Sequence, residues 1–153
     1  MTSTAAPDPG HASIPALMRG ARGSYAQAIG THLASAGFDD LPRNGPFVLG
    51  GMANWGGSAS DMIRALGVTK QAASQLIDTL VLRGYLTRDV NPADRRRMTI
   101  ELTDRGRAAA AAVAAAIAEI DAQLVKMISP AEMAGLRAGL AALAAINDRA
   151  DGA

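Results

Sequence analysis

Apolar positions recur along this chain at two periods, and each change of period marks an element. From position 14, Ile14, Leu17, Met18, Ala21, Tyr25, Ala28, Ile29 and Leu33 fall three or four apart, which places them on one face of a helix. Gly37 suits its end. Gly20, Gly23 and Gly30 each weaken that helix by roughly 1 kcal/mol relative to alanine, so it needs partners on its surface. Pro42 predicts the start of a second helix near its first position, running to about Asn54 through Phe47, Val48, Leu49 and Met52. Gly45, Gly50 and Gly51 interrupt that pattern.

Residues 58–102 read as helix, tight turn, helix, strand, basic loop, strand. Ser58 caps the first of these helices, with Asp61 at its positive end. Gly67 closes it and Thr69 caps the next, so Gly67-Val68-Thr69 is a turn of helix-turn-helix length. Gly84 ends the second helix. Met98, Ile100 and Leu102 alternate with polar residues, as in a strand with one buried face. The connection Asn91-Pro92-Ala93-Asp94 is turn chemistry.

Thr103 caps a long alanine-rich helix. Its larger apolar residues, Val113, Ile117, Ile120, Leu124 and Met127, are spaced like a coiled-coil seam. Ser129, Pro130 and Glu132 form the start signal of a last helix, expected to bury Met133, Leu136, Leu140, Leu143 and Ile146. Residues 1–13 show no periodicity and read as a disordered tail.

The predicted fold is mainly α with a small β-hairpin wing: a winged helix-turn-helix flanked by N- and C-terminal dimerisation helices. Its parts are a first dimerisation helix over 14–40, a DNA-binding region over 41–102 and C-terminal dimerisation helices over 103–149, in one integrated domain. The terminal helices carry more apolar surface than one small head can cover, which implies a homodimer.

Charge changes this picture only through its distribution. The net charge is +1, but residues 61–107 hold nine Lys/Arg against six Asp/Glu, whereas residues 108–153 hold three against five. Positive charge therefore collects on the segment that resembles a reading head. The chain has no cysteine, which excludes disulfides, thiolate metal sites and thiol redox sensing. His11 and His32 are too few for a metal site, and no cofactor is expected. No secretory signal and no membrane-length apolar run appears, so a cytoplasmic protein without a membrane partner is expected.

The chemistry points to double-stranded DNA. A reading helix contacts bases with residues near its N-terminus, here Lys70, Gln71, Ser74 and Gln75. Gln can bond adenine bidentately and Lys can reach guanine or phosphate. Thr69 is positioned to donate to a phosphate at the helix start. Arg95, Arg96 and Arg97 sit at the hairpin loop, where arginine suits the narrow minor groove. Asp94 is better suited to orienting a neighbouring arginine than to touching DNA. Arg64, Arg83 and Arg88 are either phosphate contacts or plain surface.

Three stretches together resemble the MarR family of transcriptional regulators: Gly84-Tyr85-Leu86-Thr87-Arg88, the wing Asp94-Arg95-Arg96, and Leu102-Thr103-Asp104-Arg105-Gly106. The resemblance implies a dimeric winged-helix regulator, usually a repressor, bound to a pseudo-palindromic operator. It implies that Arg96 enters the minor groove and that Asp94 steadies it. It also implies release by a small aromatic or phenolic effector held between the dimerisation helices and the head. Tyr25, His32, Met52 and Trp55 are the candidates to line such a pocket, with core or dimer packing as their competing role.

No nucleotide-binding, zinc-protease or nucleophile motif is present, so an enzyme is not expected. The alternative reading is a winged-helix protein-interaction module, or an architectural DNA binder without a ligand.

Overall fold

The computed structural model describes the backbone of residues 10–55, 58–91 and 94–150. It describes the side chains of these apart from residues 55, 91, 94–98 and 147–150. Most of the predicted tail, residues 1–9, lies outside that range.

The element order is α1 (Ile14–Ser35), α2 (Gly45–Trp55), α3 (Ala59–Ala65), α4 (Lys70–Leu82), β1 (Leu86–Asn91), β2 (Asp94–Leu102), α5 (Asp104–Leu124) and α6 (Pro130–Ala150). The mainly helical fold with one antiparallel hairpin is the one the sequence predicts. By contact density the chain divides into two units, Met1–Ile117 and Ala118–Ala153. That boundary falls inside α5, not at 102/103 where the sequence pattern changes.

In the first unit the core is built from α2, α3, α4, the start of the hairpin and α5. Val48, Leu49, Met62, Leu80, Tyr85, Leu86 and Val113 are buried together, with Leu33 of α1 joining them. Tyr85 is the largest of these side chains and has no exposed surface.

The second helix starts later than the proline pattern predicts. Pro42 opens a tight turn instead, its carbonyl accepting from the Gly45 N–H at 2.7 Å. Pro46 takes the first-turn position, where a missing N–H costs nothing. The glycines do not interrupt α2. A Cβ on Gly51 would lie 2.0 Å from the Met62 sulfur, so the glycine allows α3 to approach.

α5 also departs from expectation. It ends at Leu124, tightened by N–H bonds from Lys126 to the Gln123 carbonyl and from Met127 to the Leu124 carbonyl. Met127 therefore sits in the turn after the helix, 80% exposed, not in a seam. On α6, Leu136, Leu140, Leu143 and Ile146 are exposed and only Met133 is half-buried. The predicted burial of Leu136, Leu140, Leu143 and Ile146 is therefore not seen among the described residues. The first half of α1 behaves alike, with Ile14, Leu17 and Met18 exposed.

Candidate nucleic-acid interface

Local chemistry builds the helix-turn-helix. Ser58 and Asp61 form a reciprocal capping box: the Asp61 N–H donates to Ser58 Oγ at 3.1 Å and the Ser58 N–H donates to Asp61 Oδ2 at 3.0 Å. These bonds, led by the Ser58 hydroxyl, hold the Asp61 carboxyl below its ordinary range. Gly67 then takes φ +62, which lets the chain reverse between α3 and α4. Thr69 Oγ1 accepts from the Ala72 N–H at 3.2 Å, satisfying one of the first N–H groups of α4. The threonine proton remains available for an acceptor outside the helix.

α4 separates its faces cleanly. Ile77 and Leu80 are buried, and Ala73 and Leu76 are half-buried. Lys70, Gln71, Ser74 and Gln75 all lie exposed on the outer face, at the end of the helix that carries its partial positive charge. Asp78 of α4 pairs with Arg88 of β1 at 2.5 Å, tying α4 to the hairpin.

The hairpin pairs Leu86 with Leu102 and continues to Val90 with Met98. The register then slips, and Asn91 pairs with Asp94. Arg95, Arg96 and Arg97 lie within β2 rather than in a loop, in the stretch where the pairing slips. The expected ion pair of Asp94 involves side chains outside the described residues. Of the inward positions on β2, Ile100 and Leu102 pack half-buried against the core; the Met98 side chain lies outside the described residues.

The three further arginines all have partners. Arg64 pairs with Asp61 at 3.3 Å, Arg88 with Asp78, and Arg83 donates to the Asp40 carbonyl.

A cluster with no local sequence signal joins the base of the hairpin to the segment before α2. The Tyr85 hydroxyl donates to Asp40 Oδ1. Arg105 Nη2 donates to the same carboxylate oxygen and to Tyr85 Oη, both at 3.0 Å. The Arg105 guanidinium lies 4.5 Å from the Tyr85 ring centre and 5.7 Å from that of Phe38. The Tyr85 hydrogen bond, followed by Arg105, holds the Asp40 carboxyl below its ordinary range. Burial, reinforced by the bond to Asp40, pushes the Tyr85 phenol up. Thr103 Oγ1 contacts the Gly84 carbonyl at 2.6 Å and accepts from the Gly106 N–H at 3.0 Å. A Cβ on Gly106 would sit 2.1 Å from the Tyr85 carbonyl oxygen. The Leu-Thr-x-x-Gly spacing thus reflects a backbone crossing that only glycine permits.

An open cavity of about 1020 Å³ lies wholly within the first unit. Its walls include Tyr25, Ile29, Leu33, Phe38, Leu41 and Val113. Of the residues expected to line a pocket, Tyr25 does. His32 does not: its Nδ1 lies 3.0 Å from the Ala28 carbonyl, while Tyr25, Ile29 and Leu33 occupy the cavity side of α1. Met52 does not, because it packs against the buried core. The Trp55 side chain lies outside the described residues. Among the described residues no cluster suits a metal ion, and no helix is long and apolar enough to cross a membrane.

The model of the MarR family matches residues 48–97, from the buried face of α2 to the wing arginines. That match spans 50 of the chain's 153 residues, and over it the chain is similar to the MarR family. A comparison with curated proteins finds no match. Among solved structures, the S. aureus MepR–DNA complex is 24% identical, covers 87% of this chain and 97% of its own, and superposes with a TM-score of 0.68. A probable transcriptional regulator from Pseudomonas aeruginosa is 25% identical, with coverages of 86% and 96% and a TM-score of 0.61. S. aureus MepR bound to ethidium bromide is 23% identical, with coverages of 88% and 96% and a TM-score of 0.55. These likenesses extend the winged-helix fold over nearly the whole chain.

Proposed function

We propose that this regulator binds double-stranded DNA sequence-specifically, as a homodimer on a pseudo-palindromic operator, and represses transcription there. The observation that carries the reading is the exposed polar end of α4, with Thr69, Lys70, Gln71, Ser74 and Gln75, held beside a hairpin whose second strand carries Arg95, Arg96 and Arg97. One element suits the major groove and the other the minor groove or phosphates. Asp94 orients the wing. The MepR–DNA complex lends support, because a related fold binds DNA. The exposed apolar faces of α1 and α6 support a second copy as partner.

The large cavity supports a small-molecule effector that releases the DNA. Its aromatic and aliphatic walls fit an aromatic ligand, and the ethidium complex of MepR is a precedent for a planar one. No chemistry on a substrate is part of this reading; the protein binds and does not catalyse.

The test is selection of genomic fragments by the purified protein, scored by gel shift at physiological salt. The expected result is a pseudo-palindrome with half-sites about one helical turn apart. Arg95→Glu with Arg96→Glu should lower operator affinity by about two orders of magnitude and flatten its salt dependence. Gln71→Ala or Gln75→Ala should instead relax preference at one base pair, by roughly 1–3 kcal/mol. Weak binding that ignores sequence would favour an architectural role. Unchanged affinity after the double charge reversal would remove the wing from the interface.

A further inference from the structure

The segment between α1 and α2 faces two ways. Phe38, Leu41 and Arg43 line the cavity. Asp40, among them in sequence, instead meets the base of the hairpin through Tyr85 and Arg105. Its own carbonyl accepts from Arg83, the residue that caps the C-terminus of α4. Phe38 belongs to both sides: it lines the cavity and meets the Tyr85 ring edge-on, with centres 6.1 Å apart.

Tyr85 has little freedom to absorb a displacement. Its N–H donates to the Leu80 carbonyl of α4 at 2.9 Å, and its carbonyl accepts from the Thr103 N–H at 3.1 Å. Its ring is fully buried, and Gly106 crosses its carbonyl without room for a Cβ. A shift of this residue must therefore move the end of α4, the start of β1 or the start of α5.

We propose that Asp40 is a positioning residue that transmits occupancy of the cavity to the reading head, by holding the 38–44 segment against Arg83, Tyr85 and Arg105. A ligand that displaces Phe38 or Leu41 draws Asp40 with it. The displacement then passes to α4 through Arg83 and to β1 through Tyr85. This rests on the reading of the chain as a DNA-binding regulator with a ligand cavity, but its first readout needs neither DNA nor a natural effector.

The chain has no cysteine, so Ala34→Cys creates a unique thiol on the cavity wall. Alkylating it with N-phenylmaleimide places an aromatic ring there. Amide hydrogen exchange over residues 85–90 is compared before and after labelling in the full chain. In the Ala34→Cys protein, labelling should change exchange there about 10-fold, within the usual range of coupling between sites. With Asp40→Ala added, the change should shrink below about 2-fold, and Asp40→Glu should restore it. Tyr85→Phe, which removes only the hydroxyl, gives a second test should Asp40→Ala not fold, and it should weaken the response in the same direction.

An equal response with and without the Asp40 carboxylate would overturn the proposal, as would no response in the Ala34→Cys parent. Operator affinity, measured on the same proteins before and after labelling, should fall on labelling only where the carboxylate is present. If the unlabelled parent binds no DNA, the functional reading fails, while exchange still decides whether Asp40 couples cavity and hairpin.

Discussion

The reading head and the terminal helices carry equally regular apolar patterns, yet they end in opposite states. On α4 the stripe of Leu76, Ile77 and Leu80 is covered by its own chain, and among the described residues no buried side-chain polar atom lacks a partner. On α6 the stripe of Leu136, Leu140, Leu143 and Ile146 stays in water, with Ile146 63% exposed. The start of α1 is the same, with Ile14 58% exposed. Periodicity therefore reports that a face is meant to be covered, not which chain covers it. The core of α4 is covered within one copy, whereas the faces of α1 and α6 leave large apolar side chains exposed.

The sharpest way to break that contrast is to charge the uncovered face. Leu136→Glu with Leu140→Glu would be nearly silent on a truly solvent-exposed helix. If a second copy covers it, four leucines are lost per dimer. At about 1.5 kcal/mol or more each, association weakens by roughly 6 kcal/mol. Sedimentation should then show a monomer, and operator binding should fall with it.

The next effect belongs to the covered region. Gly106→Ala drives a methyl into the Tyr85 carbonyl and should cost about 3 kcal/mol, the upper range for overpacking. A fall in Tm of roughly 6–12 °C would register it. The same substitution at Gly139, where a Cβ would meet nothing within 4 Å among the described residues, should cost nothing in packing and favour the α6 helix by roughly 1 kcal/mol.

Smaller again are the caps. Thr69→Ala and Ser58→Ala should each cost about 1 kcal/mol in denaturant unfolding. Ser129→Ala removes the equivalent cap on α6. If the α6 unit unfolds separately from the head, its loss will appear in a separate transition.

The least effect is the pH response of the two capping boxes. The Ser58 bonds lower the Asp61 carboxyl and the Ser129 bonds lower that of Glu132. Both groups hold protons less readily in the fold than in the unfolded chain. Their contribution is complete above the ordinary values of 3.8 and 4.5 and drains away as pH falls through the lowered ones. Acid titration of stability should become shallower in Asp61→Asn with Glu132→Gln. An unchanged slope would mean that the boxes carry no pH dependence.

Much of the fold was legible because its signals are local. Ser58, Thr69 and Ser129 each begin a helix, and Gly67 turns the chain, through contacts within a few residues. Pro42 misled because one proline can open either a turn or a helix; the choice fell to Gly45, Pro46 and the packing of Leu41 around them. The composition of residues 91–97 suggests a loop for the arginines, whereas their place on β2 depends on strand pairing, which composition does not reveal.

What the sequence determined by itself is the succession of helices, the polar end of α4, the arginine run and the resemblance to the MarR family, since each rests on neighbouring residues whose chemistry acts at short range. The tertiary structure alone decided the rest. Asp40, Tyr85 and Arg105 stand 20 to 65 residues apart and carry no mutual pattern, yet packing brings them to one carboxylate. Packing also left His32 and Met52 out of the cavity. A side chain's neighbours across the fold depend on where every other element comes to rest, and no local rule of spacing encodes that.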